Sequence, residues 1–397
     1  MSLNILKRFP MLWVVVMTTG MALVFGDVNI AGIQLSGLAW VICVVLSLLQ
    51  IIISRGKTFF PIRIWFPWIL VVLIYVLVSE DPNALQRSLM LICPILVGMA
   101  IASKPVSRNE VRWFFSSIKY LGVTLLLVIA LKTGFLLTGN MATFGHAAAE
   151  VTFASFLAAF FIVKYVAGEK KMIYWWGVTP LIPLLAYTRA AMFVALISLP
   201  LTLAPLGKRK RIVIACLILA IGTAVFYTDR FQQRMFYTGH GTISDVFSGS
   251  SDINTSGRTY MWDMMMYEID KKPLLGHGAN ASETFLLSFT KMTHPHNDYV
   301  RILFDYGILG LLVFLTCLSV QAIDSYKKAK KYSGDKSTLF YLGSSAFILF
   351  LLFMFTDNIV MYAAFFGNMH FASLGLAYSA SRTKMNTAND RLLYARG

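Results

Sequence analysis

Charge is what this sequence has least of. Asp, Glu, Lys and Arg make up 14% of its 397 residues, and Asp and Glu together number 19. A soluble domain carries about 25%, so a water-exposed globule is excluded. Cysteine is scarce too. Cys43, Cys93, Cys216 and Cys317 lie inside apolar runs with neither paired nor metal-ligand spacing; this argues against a disulfide framework or zinc site and predicts that all four pack in the core. Asp245, Asp252 and Asp263 stand apart, so no Asp-rich metal motif forms in the long connection. Neither a P-loop for nucleotide nor a defensible Ser-His-Asp spacing occurs. No internal repeat or low-complexity tract is present. Lys7 and Arg8 before Met11–Phe25 resemble a signal peptide, yet no small-residue cleavage site follows, so a retained first span is expected.

What is present is apolar length. The chain is 57% hydrophobic with a mean hydropathy of +0.67, which predicts an all-α polytopic membrane protein. The apolar runs read as about twelve spans, each near the roughly 20 residues a bilayer requires: 10–27, 33–53, 62–79, 85–102, 113–137, 147–166, 172–187, 190–206, 212–228, 298–323, 338–356 and 359–380. A formal net charge of +16 would suit nucleic acid if it were gathered in one patch, but the basic residues fall in short clusters at every second connection. They include Arg55, Lys57 and Arg63, then Lys208 to Arg211, then Lys327 to Lys336, and Arg391 in the tail. The alternate connections are neutral or acid-tinged: Asp27, Glu80 with Asp81, Gly139 to His146, and Asp357 with Asn358. That alternation is the positive-inside pattern, so both termini are predicted cytoplasmic and nucleic acid is not expected as a partner.

Met172 to Leu206 would be roughly 50 Å long as one helix, against a hydrocarbon core of about 30 Å. Both flanks are basic, so the chain must cross and return. The polar residues near the middle, Thr188 and Arg189, are thereby placed on the outer side. Three parts follow: spans over 1–228, one long outer connection over 229–297, and spans with a cytoplasmic tail over 298–397. In the long connection, Thr255 or Ser256 is expected to cap a short helix bearing Arg258, Met261, Trp262, Met265 and Ile269, which lies on the membrane surface or against the spans. Pro273, Gly276 and Gly278 end it. The segment His294–Pro295–His296–Asn297 then meets an apolar helix; Pro295 forbids helix there, and Asn297 suits an N-cap with Asp298 in the first turn.

His296 is thus expected at the mouth of a span. Arg189, Arg258 and Arg301 are the other basic groups that topology or lipid would disfavour. Each has a bland reading: a helix-end arginine that snorkels, a surface arginine on headgroups, an Arg301–Asp305 pair four residues apart, and His294 and His296 as a polar loop end. Together, two arginine forks suit a diphosphate and a boundary histidine suits proton transfer from a hydroxyl.

His296–Asn297, nine residues, then Gly307–Ile–Leu–Gly310 resembles the motif of bacterial O-antigen ligases. Ser256 to Trp262, Pro273 to Gly278, and Tyr187 to Ala191 are similar to patterns of the wider ligase and polymerase superfamily; His277 stands where that family more often has an apolar residue. The resemblance implies a GT-C-like inner-membrane glycosyltransferase that works without metal or other cofactor. It would move a polysaccharide from undecaprenyl diphosphate to a sugar hydroxyl of the lipid A core, on the periplasmic side and with inversion. His296 matches the motif base, while Arg189 and Arg258 match the diphosphate-binding arginines; Asn297, Arg301 and His294 are possible supports. The alternatives are an O-antigen polymerase, a protein O-oligosaccharyltransferase and, in another class, a multi-pass transporter. The oligomeric state is left open.

Overall fold

The computed structural model describes residues 11–26, 28–30, 33–134, 148–186, 188–248, 252–255 and 257–382. Among these the regular structure is helical apart from a minute antiparallel pair, Asn29–Ile30 with Ile33–Gln34, and one isolated bridge between Phe236 and Ile253. The helices are α1 (Met11–Phe25), α2 (Leu35–Ile53), α3 (Ile62–Val78), α4 (Ala84–Ile101), α5 (Arg108–Lys132), α6 (Ala148–Val166), α7 (Met172–Val178), α8 (Leu181–Leu185), α9 (Arg189–Leu201) and α10 (Lys208–Phe226). Then come α11 (Asp229–Met235), α12 (Ile243–Ser248), α13 (Arg258–Ile269), α14 (Ala281–Leu287), α15 (Asp298–Lys331), α16 (Gly334–Met354), a π-helical turn (Ala363–Gly367) and α17 (Asn368–Arg382). Six of these helices are long and apolar enough to cross a membrane, and shorter apolar helices accompany them. The chain is a multi-pass, all-α membrane protein.

Every expected span coincides with a helix, but several differ in extent. The span placed at 113–137 begins earlier, because Ser107 and Glu110 form a capping box that starts α5 at Arg108; positions 135–137, like Gly139 to His146, lie outside the described residues. The span placed at 172–187 is two short helices. Pro180 and Pro183 interrupt the backbone ladder there, and Thr179 closes α7 by donating from N and Oγ1 to the Trp176 carbonyl. The span placed at 190–206 stops at Leu201, just beyond Pro200. The span placed at 359–380 starts as a π-turn. Cys43, Cys93 and Cys317 are buried as expected, but Cys216 is exposed, because α10 buries none of its residues and its apolar surface faces outward.

The core is made by α15 on α16, α17 on α4, and α9 on α6. The connections sort to two ends. At one end the 79–87 turn meets 279–284: Ser79 Oγ donates to the Ala279 carbonyl at 3.0 Å, Thr284 Oγ1 donates to Asp81 Oδ2 at 2.7 Å, and Arg87 grips Glu283 with two 2.8 Å bonds. At the other end, Gln50 meets Ser103 at 3.0 Å and Phe59 N donates to the Ala102 carbonyl at 3.0 Å. The acid-tinged connections 80–81 and 357–358 share the end that carries the long connection, while the basic turns gather opposite.

Candidate active site

Two loops and one short helix build the site. Along α13, Met261, Met265 and Ile269 recur at helical spacing and bury that face against Leu286 and Phe304. Arg258 and Trp262, one turn apart, reach into the two loops. Arg258 Nη1 donates to the Thr356 carbonyl at 3.0 Å, and Trp262 Nε1 donates to the Pro295 carbonyl at 2.7 Å. The helix therefore spans the 294–297 loop and the 356–358 turn. Its N-cap is not the expected Thr255 or Ser256 but Gly257, at φ +78° and with no side-chain cap; Thr255 Oγ1 instead accepts from Thr259 N at 3.4 Å, and Ser256 lies outside the described residues.

Asn297 caps α15 as expected, its Oδ1 accepting from Tyr299 N at 3.0 Å and Val300 N at 3.2 Å. The residue before it, His296, sits at φ +53°, a conformation that costs a β-carbon residue free energy and persists where surrounding bonds impose it. Those bonds are visible. His296 Nδ1 lies 3.2 Å from Asp357 Oδ1 and 3.3 Å from Asn358 Nδ2, and Asp357 Oδ1 also accepts from Asn358 N at 2.8 Å. An ionised carboxylate can only accept, so Nδ1 faces it as the donor, and in the neutral ring this leaves the lone pair on Nε2. An amide NH2 facing the same Nδ1–H would be mismatched; turning the Asn358 amide over presents its oxygen instead, and an O/N assignment of this kind rests on the network. Asp298 fastens the two segments together, since its Oδ2 accepts from Val360 N at 2.9 Å inside the protein.

The supporting residues are less exposed. Arg301 is buried beside Asp305, with Nε 3.8 Å from Oδ2, so the expected pair forms at long range while Nη1 remains sealed without a partner. His294 Nδ1 is also sealed and unpartnered. Burial, then the charges of Arg301 and Arg87, hold the His294 pKa down to about 2, so this ring is neutral and cannot be an acid-base group near neutral pH. Arg189 opens α9 as expected, but on a different element: its Nη1 lies 3.7 Å from Met235 Sδ, and the Met235 carbonyl accepts the Asn254 amide at 2.8 Å, just before α13. Tyr187, beside it in the motif, lies outside the described residues. Among the described residues no three His, Cys, Asp or Glu side chains converge as a metal ligand set.

The motif glycine has a separate task. Gly307 breaks α15 at φ +66° and ψ −175°, contrary to the single helix expected over 298–323. The break frees backbone groups that the 273–278 loop takes up. Ile308 N donates to the Pro273 carbonyl at 2.9 Å and Leu309 N to the Leu274 carbonyl at 3.3 Å; in return His277 N donates to Phe304 O at 2.9 Å and Gly278 N to Asp305 O at 3.0 Å. A β-carbon on Gly307 would stand 2.3 Å from the Leu274 oxygen. His277 stacks on Phe304 and its Nε2 meets the Glu268 carbonyl at 2.9 Å, which ties the loop to α13.

Asp357 and Asn358, which sequence reading marked only as an acid-tinged connection, are thus part of the site. Thr356, Asp357 and Asn358 interrupt two apolar runs, and that is the signal the sequence offered.

Residues 173–315 match the family model described as O-antigen ligase. A Rickettsia felis protein provisionally named a polysaccharide ligase is 31% identical over 116 residues, 26% of this chain and 27% of the relative. A Rickettsia typhi protein of similar name is 32% identical over 116 residues, again 26% and 27%, and one of Rickettsia conorii is 32% identical over 73 residues, 15% and 18%. The chain spans about a quarter of the length of the first two of these relatives. The matched segment carries Arg189, Arg258, His296 and Gly307, and over that segment the chain is similar to the O-antigen ligases.

Proposed function

We propose that the protein transfers a polysaccharide from undecaprenyl diphosphate to a sugar hydroxyl of the lipid A core, at the periplasmic face of the inner membrane. The observation that carries this reading is the 356–358 turn, which holds the Arg258 guanidinium through Thr356 and the His296 imidazole through Asp357. A cationic fork and a base with a free lone pair are thereby fixed on one short piece of backbone.

In this reading His296 Nε2 takes the proton of the acceptor hydroxyl. The oxygen attacks the anomeric carbon from the face opposite the diphosphate; the carbon–oxygen bond to the lipid diphosphate breaks, and the configuration inverts. Asp357 fixes the tautomer and stabilises the imidazolium that forms. Arg258 spends one N–H on Thr356 and has others for phosphate oxygens, while Arg189 enters from α9 as the second fork. Preorganised donors aimed at the charge developing on the leaving diphosphate are each worth about 3–4 kcal/mol in comparable sites. The guanidinium groups supply the positive charge of the reaction, so the reading includes turnover in EDTA without nucleotide.

The test is transfer in proteoliposomes holding purified protein, undecaprenyl-diphosphate polysaccharide and lipid A core, read as a ladder of capped lipopolysaccharide. The ladder should appear and vanish in His296→Ala with the protein still folded, and Arg258→Lys should weaken it because a point charge does not replace a fork. Ample activity in His296→Ala removes it as the base. Lengthening of the glycan on its own carrier would instead indicate a polymerase.

A further inference from the structure

Phe355 is 60% exposed, yet its backbone is tied down. Its own N donates to the Leu352 carbonyl at 3.3 Å, and Thr356 N and Asp357 N both donate to Phe353 O, at 3.0 and 2.9 Å. Tyr299 Oη donates to the Leu351 carbonyl at 2.9 Å, which fastens the end of α16 to the start of α15. The two residues that follow Phe355 hold the Arg258 guanidinium and the His296 imidazole. The Phe355 ring itself meets Trp262, with centroids 6.4 Å apart and planes at 54°, and Trp262 Nε1 is held at 2.7 Å by the carbonyl of Pro295, the residue before His296. Two aromatic rings, each anchored beside the histidine, thus make one wall.

Phenylalanine has no polar end to place among lipid headgroups, which is what draws Trp and Tyr to a bilayer boundary. An acyl chain laid on this ring would also cover Arg258, Asp357 and His296 and strip them of water, which is costly for polar and charged groups. A sugar ring meets both demands. One of its faces carries weakly positive C–H bonds that suit the negative face of an aromatic ring, and its edge carries hydroxyls for the polar groups around the wall. We propose that Phe355 and Trp262 form the acceptor subsite, on which a pyranose ring stacks so that one of its hydroxyls reaches His296 Nε2. This rests on the transfer reaction proposed above, and it makes Phe355 a residue that selects the acceptor and takes no part in bond breaking.

Two measurements separate the wall from the reaction. In proteoliposomes, Phe355→Leu keeps the apolar bulk and loses the aromatic face, so the KM for lipid A core should rise about fivefold while kcat and the donor KM stay unchanged; Phe355→Tyr should restore it. Binding is read without donor, by saturation-transfer NMR between the purified full-length protein and lipid A core freed of its acyl chains. The glycan should receive saturation from wild type and Phe355→Tyr, and about fivefold less from Phe355→Leu. Phe66→Leu, on α3 and equally exposed at 60%, should change neither reading. Absence of transfer by wild type, with glycan binding still dependent on Phe355, would refute the reaction and keep the subsite. An acceptor KM or glycan signal unaltered in Phe355→Leu, equal loss from Phe66→Leu, or binding that requires the acyl chains would overturn the subsite.

Discussion

Asp357→Asn separates His296, the proposed base, from its partner without removing the turn. The amide keeps an oxygen for the Asn358 N–H now held at 2.8 Å, but it takes away the negative charge 3.2 Å from His296 Nδ1. A hydrogen bond to a charged group contributes about 1.5–3 kcal/mol, and 1.36 kcal/mol is tenfold in rate, so the bond bears on roughly a 10- to 150-fold range. Amide replacement in a fully enclosed His–carboxylate triad costs about 10⁴ in kcat. Here the His296 side chain is 25% exposed, and Asn358 stands 3.3 Å away as a substitute acceptor. A loss of about 100-fold in kcat with little change in KM is therefore expected. The assay is the initial rate of transfer in proteoliposomes at saturating donor, with thermal unfolding in parallel. Added to His296→Ala, Asp357→Asn should cost nothing further, since the two act as one unit. A variant within about threefold of wild type, while His296→Ala is inactive, refutes an orienting role. A large fall in melting temperature would mean the carboxylate serves the turn rather than the base.

Gly307→Ala should destabilise the protein by at least about 2 kcal/mol, because the new carbon meets the Leu274 oxygen at 2.3 Å and the Gly276 nitrogen at 2.6 Å, both backbone, at φ +66°; an unchanged melting temperature in detergent would contradict this. Trp262→Phe removes the 2.7 Å bond to the Pro295 carbonyl at a cost of about 1 kcal/mol and loosens the His296 loop. Turnover should drop with little change in expression, and an unaltered kcat would sink the positioning role of Trp262. Acid should weaken the fold through His294. Its native pKa is depressed to about 2 while the unfolded ring titrates near 6.5, so below that pH the unfolded chain binds a proton that the native chain refuses. Stability is full above about pH 6.5 and falls by up to about 1.4 kcal/mol per unit beneath it; His294→Gln should flatten that slope in melts from pH 7 to 5, and identical slopes would contradict the assignment.

Local signals were legible and long-range partners were not. Apolar runs found the helices because lipid demands them, Asn297 announced its own cap, and Arg189 was placed at the opening of a span by the length of the run around it. The breaks at Pro180 and Gly307 escaped because periodicity averages over single residues. The partner of His296 escaped for a different reason. Asp357 is 61 residues away in sequence, and a carboxylate at a loop end looks the same whether it faces water or an imidazole. Arg301 and Asp305 could be paired from their spacing, yet their 3.8 Å separation and the sealed Nη1 depend on neighbours no helical wheel contains.

The fixed spacing of His296, Asn297 and Gly307 gains a geometrical meaning from these contacts. Asn297 starts a short helical stretch and Gly307 ends it, so the residues between them form one rigid rod of about 1.5 Å per residue. At its start, Asp298 is fastened to Val360 and His296 to Asp357; at its end, Phe304 and Asp305 are fastened to His277 and Gly278. One residue more or fewer would turn one anchor by about 100° relative to the other, and both could not be kept. The glycine therefore acts on the histidine through the length of the rod. It fixes one end against the 273–278 loop, which is itself held to α3 through the Tyr75 hydroxyl on the Leu275 carbonyl, and the histidine is delivered to its carboxylate at the other.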